Sequence, residues 1–146
     1  MGDTFCVKPP GTVSINRWAG ARVLLVDDDA VNRILASHVI ASVTGLLPDT
    51  ACDGNEGCMM ALQTVYDLVL MDLNMPGLDG VQAALLIRSS PDPAGRVPIV
   101  ALTASLWPED IARCQAAGMN GHLIKPLAAA DLRALRWSGT DRAGES

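Results

Sequence analysis

Tyr66-Asp67-Leu68-Val69-Leu70-Met71-Asp72-Leu73-Asn74-Met75-Pro76-Gly77-Leu78-Asp79-Gly80 is the stretch whose reading decides the fold. Leu68 to Met71 is a short, continuous apolar run bounded by turn residues, the pattern of a strand buried on both faces. It stops at Asp72, and Pro76-Gly77 and Asp79-Gly80 then turn the backbone. A carboxylate therefore stands at the carboxyl end of a buried strand, the edge at which open α/β sheets bind ligands. Taken alone, Asp72 reads equally well as a simple strand-end cap, and the rest of the chain has to decide.

Working outward, the same arrangement recurs. Val23-Leu24-Leu25-Val26 is a first buried strand ending at Asp27-Asp28-Asp29, with Asp29 placed to cap the helix that follows. That helix shows Val31, Ile34, Leu35, His38, Val39 and Val43 at helical spacing, with His38 expected as a packing histidine, and ends at Gly45. Leu46 to Cys52, broken by Pro48, reads as an edge strand. Glu56 to Thr64 reads as a helix burying Met59, Met60 and Leu62, and Val81 to Arg88 as one using Ala84, Leu85 and Ile87. Val97 to Leu102 is a fourth strand ending at Thr103, followed by a helix opened by Trp107-Pro108 and closed by Gly118. Trp107 is expected near the surface of that helix. Gly121-His122-Leu123-Ile124 is a fifth strand ending at Lys125-Pro126, and Ala128 to Trp137 a last helix. Five strand–helix pairs in succession imply a parallel sheet with helices on both faces.

The 146 residues suit one domain, expected over residues 21–137, with residues 1–20 as a linker or disordered tail and 138–146 as a polar tail. Apolar residues make up 49% but aromatics only 3%, so the core has to be built from aliphatic side chains. A net charge of -5 argues against nucleic acid, which requires a basic patch. No apolar run reaches membrane-span length, and no secretory pattern opens the chain, so a cytoplasmic setting without membrane contact is expected. Cys6, Cys52, Cys58 and Cys114 form no Cys-x-x-Cys pair, which argues against zinc and leaves them as buried apolar groups or free thiols.

Asp27, Asp28, Asp72, Thr103 and Lys125 all follow strands of one parallel sheet, so they should converge on one edge. Mutual repulsion of three close carboxylates costs several kcal/mol at an effective dielectric of about 20. One lysine does not balance three acids. A hard dication does, and an all-oxygen donor set favours magnesium. A dication, a lysine and a hydroxyl around one carboxylate make a clamp for a transferring phosphoryl group, with the carboxylate as nucleophile.

On Val26-Asp27-Asp28, Asp72 within Leu70 to Gly80, Ala101-Leu102-Thr103-Ala104 and Lys125-Pro126, the sequence resembles the receiver domains of two-component response regulators. Val31-Asn32-Arg33, Asn74-Met75-Pro76 and Ala116-Ala117-Gly118-Met119 make it most similar to receivers of hybrid sensor histidine kinases. The resemblance implies a CheY-like, flavodoxin-like sheet of order 2-1-3-4-5. It implies phosphoryl acceptance on Asp72 from a phosphohistidine, and Mg2+ held by Asp27, Asp28, Asp72 and the Asn74 backbone carbonyl. Lys125 and Thr103 would bind phosphoryl oxygens. Thr103 and His122 would form the switch, and Asn74 and Ser105 would tune dephosphorylation. The implied partners are a sensor histidine kinase or a histidine phosphotransfer protein, and a weak homodimer is admitted. A stand-alone regulator, a docking module that is not phosphorylated, and a flavodoxin-type nucleotide or flavin site are the alternatives. The last wants a glycine- or hydroxyl-rich phosphate loop where this chain has three aspartates.

Overall fold

The computed structural model describes residues 17–104 and 107–135. Within them five strands alternate with five helices: β1 Val23–Val26, α1 Ala30–Thr44, β2 Asp49–Ala51, α2 Gly54–Gln63, β3 Leu68–Asp72, α3 Gly80–Arg88, β4 Ile99–Thr103, α4 Pro108–Ala116, β5 Gly121–Ile124 and α5 Ala129–Ala134. All four strand pairs are parallel, as the strand–helix alternation predicts, and the sheet order is β2-β1-β3-β4-β5, as the resemblance implies. β2 is short and lies at an edge, which is where Pro48 in the preceding residues is tolerated. Residues 1–16 of the expected tail 1–20, and all of the expected tail 138–146, lie outside the described residues.

Strand side chains alternate between two apolar layers. Leu24, Val26, Val69, Met71, Ile99 and Ala101 face one layer, with Cys58 and Ala61 of α2, Ala83, Ala84 and Ile87 of α3, and Cys114 of α4. Val23, Leu25, Leu68, Leu70, Val100 and Leu102 face the other, with Ala36, Ile40 and Val43 of α1 and Leu132 of α5. The three central strands are therefore apolar at successive positions because both of their faces are covered.

The apolar spacing is borne out only in part: Val43 of α1, Ala84 and Ile87 of α3 and Leu132 of α5 are buried, while other residues of the expected faces point outward. In α1 the buried residues are Ala36, Ile40, Val43 and Thr44, while Val31, Ile34 and Leu35 are 63%, 59% and 57% exposed and His38 is exposed rather than packed. In α2 the buried face is Gly54, Gly57, Cys58 and Ala61, with Met59 and Leu62 turned outward. Leu85 of α3 is likewise exposed beside the buried Ala83, Ala84 and Ile87. For α2 the physical reason is distance. It lies close enough to the sheet that small residues form the contact, and a Cβ on Gly57 would meet the Val26 methyls at 2.7 Å.

The tail assignment needs a second correction. Trp18, placed by sequence in a linker, is fully buried with Ala21, Val23, Ile40 and Leu135, so the packed unit extends at least to Trp18. The backbone joins it to the body as well, through Gly20 N–H to the Thr44 carbonyl at 2.7 Å. With so few aromatics, a lone tryptophan far from any periodic pattern gives no spacing from which burial can be read. Replacing Trp18 with Ala is expected to lower unfolding free energy by about 3–5 kcal/mol in urea titrations. A loss under about 0.5 kcal/mol, the range of an ordinary surface substitution, would return this segment to the tail.

Candidate functional site

The register of the parallel strands brings the polar residues together. Val26 of β1 pairs with Met71 of β3, so Asp27 and Asp72 follow at the same level on adjacent strands. Asp72 is level with Leu102 of β4, which puts Thr103 one residue further along, and Thr103 is level with Ile124 of β5, which Lys125 follows. The crossover between β1 and β3 is the point where strand order reverses, and crevices open at such points. One oxygen each of Asp27, Asp28 and Asp72 lies within 4.8 Å of the others. Asp27 and Asp72 are 1% exposed and Asp28 is exposed.

Lys125 supplies the cation that faces this cluster. Its Nζ lies 3.0 Å from Asp72 Oδ1 and 3.4 Å from Asp27 Oδ2. Burial pushes the Asp72 carboxyl above its ordinary range. The Asn74 N–H and Lys125 pull it down, Asp27 pushes it further up, and burial with Asp27 prevails. Burial pulls the Lys125 ammonium down, but its bonds to Asp72 and Asp27 overcome that and raise it, so it stays charged. The pocket is thus short of positive charge although a lysine already sits in it.

Loop geometry fixes the carboxylates. Asp29 caps α1, accepting from the Val31 and Asn32 N–H groups, and its own N–H donates to Asp27 Oδ1 at 2.9 Å. The Asn74 N–H donates to Asp72 Oδ1 at 3.1 Å. Asp79 caps α3 in a reciprocal pair with Gln82, and at Gly80 any Cβ would collide with the Asp72 carbonyl. Thr103 is buried beside this loop, next to a polar cavity of about 370 Å³ lined by Leu73, Asn74, Met75, Asp79, Thr103 and Arg113. Arg113 of α4 reaches across to Asp79 Oδ2 at 3.7 Å.

Of the residues singled out by sequence, Asp27, Asp28, Asp72, Thr103 and Lys125 are brought to one edge, with Asn74 in the loop beside them. His122 is exposed on the edge strand β5, level with Ala101. Ser105 lies outside the described residues. Trp107 stands at the N-cap of α4, 64% exposed. Arg33, which enters the sequence reading only as part of the Val31-Asn32-Arg33 motif and with no site role, donates from Nη1 to the Asp27 carbonyl at 2.7 Å. The available signal was its position, one helical turn after the capping Asp29.

Fold and pocket together define a class: a CheY-like, doubly wound α/β domain with an all-oxygen acidic pocket and one lysine at its switch point. Comparison with known proteins places it further. Residues 23–135 match the family described as response regulator receiver domain, and the chain belongs to that family. It is 37% identical over 114 residues to hybrid signal transduction histidine kinase G of Dictyostelium discoideum, covering 77% of this chain and 3% of the relative. To hybrid signal transduction histidine kinase F of the same organism it is 40% identical over 109 residues, covering 73% and 10%. This chain therefore spans only a small part of the length of those relatives. Among solved structures, the receiver domain of sensor histidine kinase PA1611 from Pseudomonas aeruginosa, with a magnesium ion coordinated in its active site cleft, superposes with a TM-score of 0.74 at 38% identity. That match covers 84% of this chain and all of the other (100%). No helix among the described residues is long and apolar enough to cross a membrane.

The electrostatics make a test without any phosphodonor. Asp72 ionises less readily in the folded protein than in the unfolded chain. Its contribution is therefore complete below the unfolded carboxylate pKa and is lost as pH rises through the folded value. In metal-free buffer at neutral pH, Asp72→Asn is expected to be more stable than wild type by on the order of 1 kcal/mol. The gap should close as the pH is lowered. Chelator-treated urea titrations across pH measure it, and a less stable variant at neutral pH would contradict the charge balance described here.

Proposed function

We propose that this chain accepts a phosphoryl group from a phosphohistidine onto Asp72, in a Mg2+-dependent relay, and that it is the receiver portion of a hybrid sensor histidine kinase. The observation that carries the reading is Lys125 Nζ at 3.0 Å from Asp72 Oδ1, inside a cluster of three carboxylates within 4.8 Å. Three hard oxygen donors, too crowded for one lysine to neutralise, fit a magnesium ion. Asp27, Asp28 and Asp72 would hold it, with the Asn74 backbone carbonyl as a further donor. When bound, the ion offsets charge on the phosphoryl oxygens and on the attacking carboxylate.

The remaining work falls to the chain's own side chains. An Asp72 carboxylate oxygen attacks phosphorus, the new O–P bond forms, and the P–N bond breaks with its electron pair returning to the imidazole. Lys125 pairs with a phosphoryl oxygen and Thr103 donates its hydroxyl to another. Thr103 then sits differently with and without the phosphoryl group, and His122 on the neighbouring strand follows it. The group acts as a signal by binding one of two conformations more tightly. Asn74 and Ser105, two positions after Asp72 and Thr103, set how water reaches the acyl phosphate.

The donor docks beside the pocket. Val31, Ile34 and Leu35 form an outward apolar row on the first turns of α1, directly after the aspartates. That row supports a helical protein donor over a small molecule alone. The proposed parent is a hybrid kinase because relatives of that kind match this segment at 37% and 40% identity.

Acetyl phosphate with Mg2+ is expected to add one phosphoryl group by intact mass, and Asp72→Asn to add none. Lys125→Ala should slow the reaction by about a hundredfold. Ile34→Glu should slow transfer from a phosphorylated histidine protein by about tenfold while leaving acetyl phosphate labelling intact. Labelling that persists in Asp72→Asn would sink the reading, and equal slowing with both donors would remove the α1 docking row.

A further inference from the structure

Asp27 is held at every polar atom. Its N–H donates to the Ala51 carbonyl at 3.1 Å, Oδ1 accepts from the Asp29 N–H at 2.9 Å, and Oδ2 lies 3.4 Å from Lys125 Nζ. Its carbonyl oxygen accepts from Arg33 Nη1 at 2.7 Å, the shortest of the four. Asp28, next in the chain, differs. It is exposed, and among the described residues no ion pair or hydrogen bond holds its carboxylate. Yet its oxygen stands within 4.8 Å of those of Asp27 and Asp72. Only the backbone on either side can place it there.

On the far side that backbone is fixed by Asp29, which caps α1. On the near side it is the Asp27–Asp28 peptide. A peptide unit is planar, so the direction of the Asp27 carbonyl sets the direction in which the chain enters Asp28. Arg33 is half-buried and lies on the helix face that also carries Ala36 and Ile40, so it reaches inward under the loop. Its charge is also felt in the loop between β2 and α2. The exposed Cys52 thiol there is pushed up chiefly by its hydrogen bond to Glu56, and Arg33 pulls against that shift.

We propose that Arg33 is a positioning residue for the cation site: by pinning the Asp27 carbonyl it holds the Asp28 carboxylate toward Asp27 and Asp72. The inference rests on the metal-dependent reading above. It also makes a prediction whose sign is opposite to that of simple charge. A fixed guanidinium beside an acidic pocket repels a dication, so removing it should tighten Mg2+ binding if charge were its only effect. If it orients a ligand, removing it loosens the loop and weakens binding, as loss of supporting hydrogen bonds around metal ligands does.

Calorimetric titration of Mg2+ into the full chain separates the two, with the gain in urea midpoint on adding Mg2+ as a second readout. Arg33→Ala is expected to weaken Mg2+ by about tenfold. Arg33→Lys, which keeps the charge and part of the reach, should recover some of that affinity while remaining weaker than wild type. The Mg2+-dependent gain in midpoint should shrink in the same order. Unchanged or tighter Mg2+ binding by Arg33→Ala would overturn the inference. If Arg33→Ala does not fold, Arg33→Lys alone decides, and wild-type affinity in it would overturn the inference equally. Failure of the wild-type chain to take up Mg2+ is a separate result, which would remove the metal-dependent reading and this inference with it.

Discussion

Repulsion among Asp27, Asp28 and Asp72 is the constraint on which the rest of the structure depends. Two of these side chains are 1% exposed, and water cannot screen them as it screens surface charge. Lys125 touches two of the three. A fold seeking only stability would replace one acid with an amide and lose nothing. Keeping all three leaves a pocket that favours any positive charge able to enter. It also leaves Asp72 with a carboxylate raised in energy by burial and by Asp27.

The sheet is what makes that crowding unavoidable. Adjacent parallel strands run level, so residues that end two neighbours arrive at the same height, and Val26 opposite Met71 forces Asp27 beside Asp72. Caps at Asp29 and Asp79 then use side chains within a few residues of the pocket to hold both loops, so neither loop can swing its carboxylate away. Helix capping, a local matter, and charge crowding, a tertiary one, are solved by overlapping residues.

The strands were legible because β1, β3 and β4 are covered on both faces. Val23 to Val26, Leu68 to Met71 and Ile99 to Leu102 are unbroken apolar runs, and a polar residue marks each end. The helices were legible in their existence, and their buried faces only in part. α1 is apolar on two faces, and the spacing of Val31, Ile34 and Leu35 is as good as that of Ala36, Ile40 and Val43. Hydrophobic weight favours the first set, yet the second is the one packed with Val23, Leu25, Leu68 and Leu70. The burial of Trp18 and the role of Arg33 were illegible for different reasons. One fills a gap that exists only once α1 and α5 are in place. The other acts through a backbone carbonyl, which no sequence pattern displays. Arg88 is of the second kind, donating to the carbonyls of Gly118, Gly95 and Val97 and to the Asn120 side chain.

The ties around the pocket are unequal, and that inequality bears on where a phosphoryl signal would travel. α1 and α3 begin with side-chain caps bonded to the same loops that carry the aspartates. α4 begins at Trp107, with no side-chain cap hydrogen bond and with an indole left 64% exposed. Among the described residues, Arg113 ties α4 to the β3–α3 loop through its ion pair with Asp79 at 3.7 Å, with both side chains partly in solvent. Exposed pairs of this kind contribute about 0–1 kcal/mol, so they yield before a cap does. Under the proposed function, the described ties that would oppose a shift of α4 are weaker than the caps that hold α1 and α3. The apolar row on α1 can then keep its shape for a docking donor while α4 reports the state of Asp72.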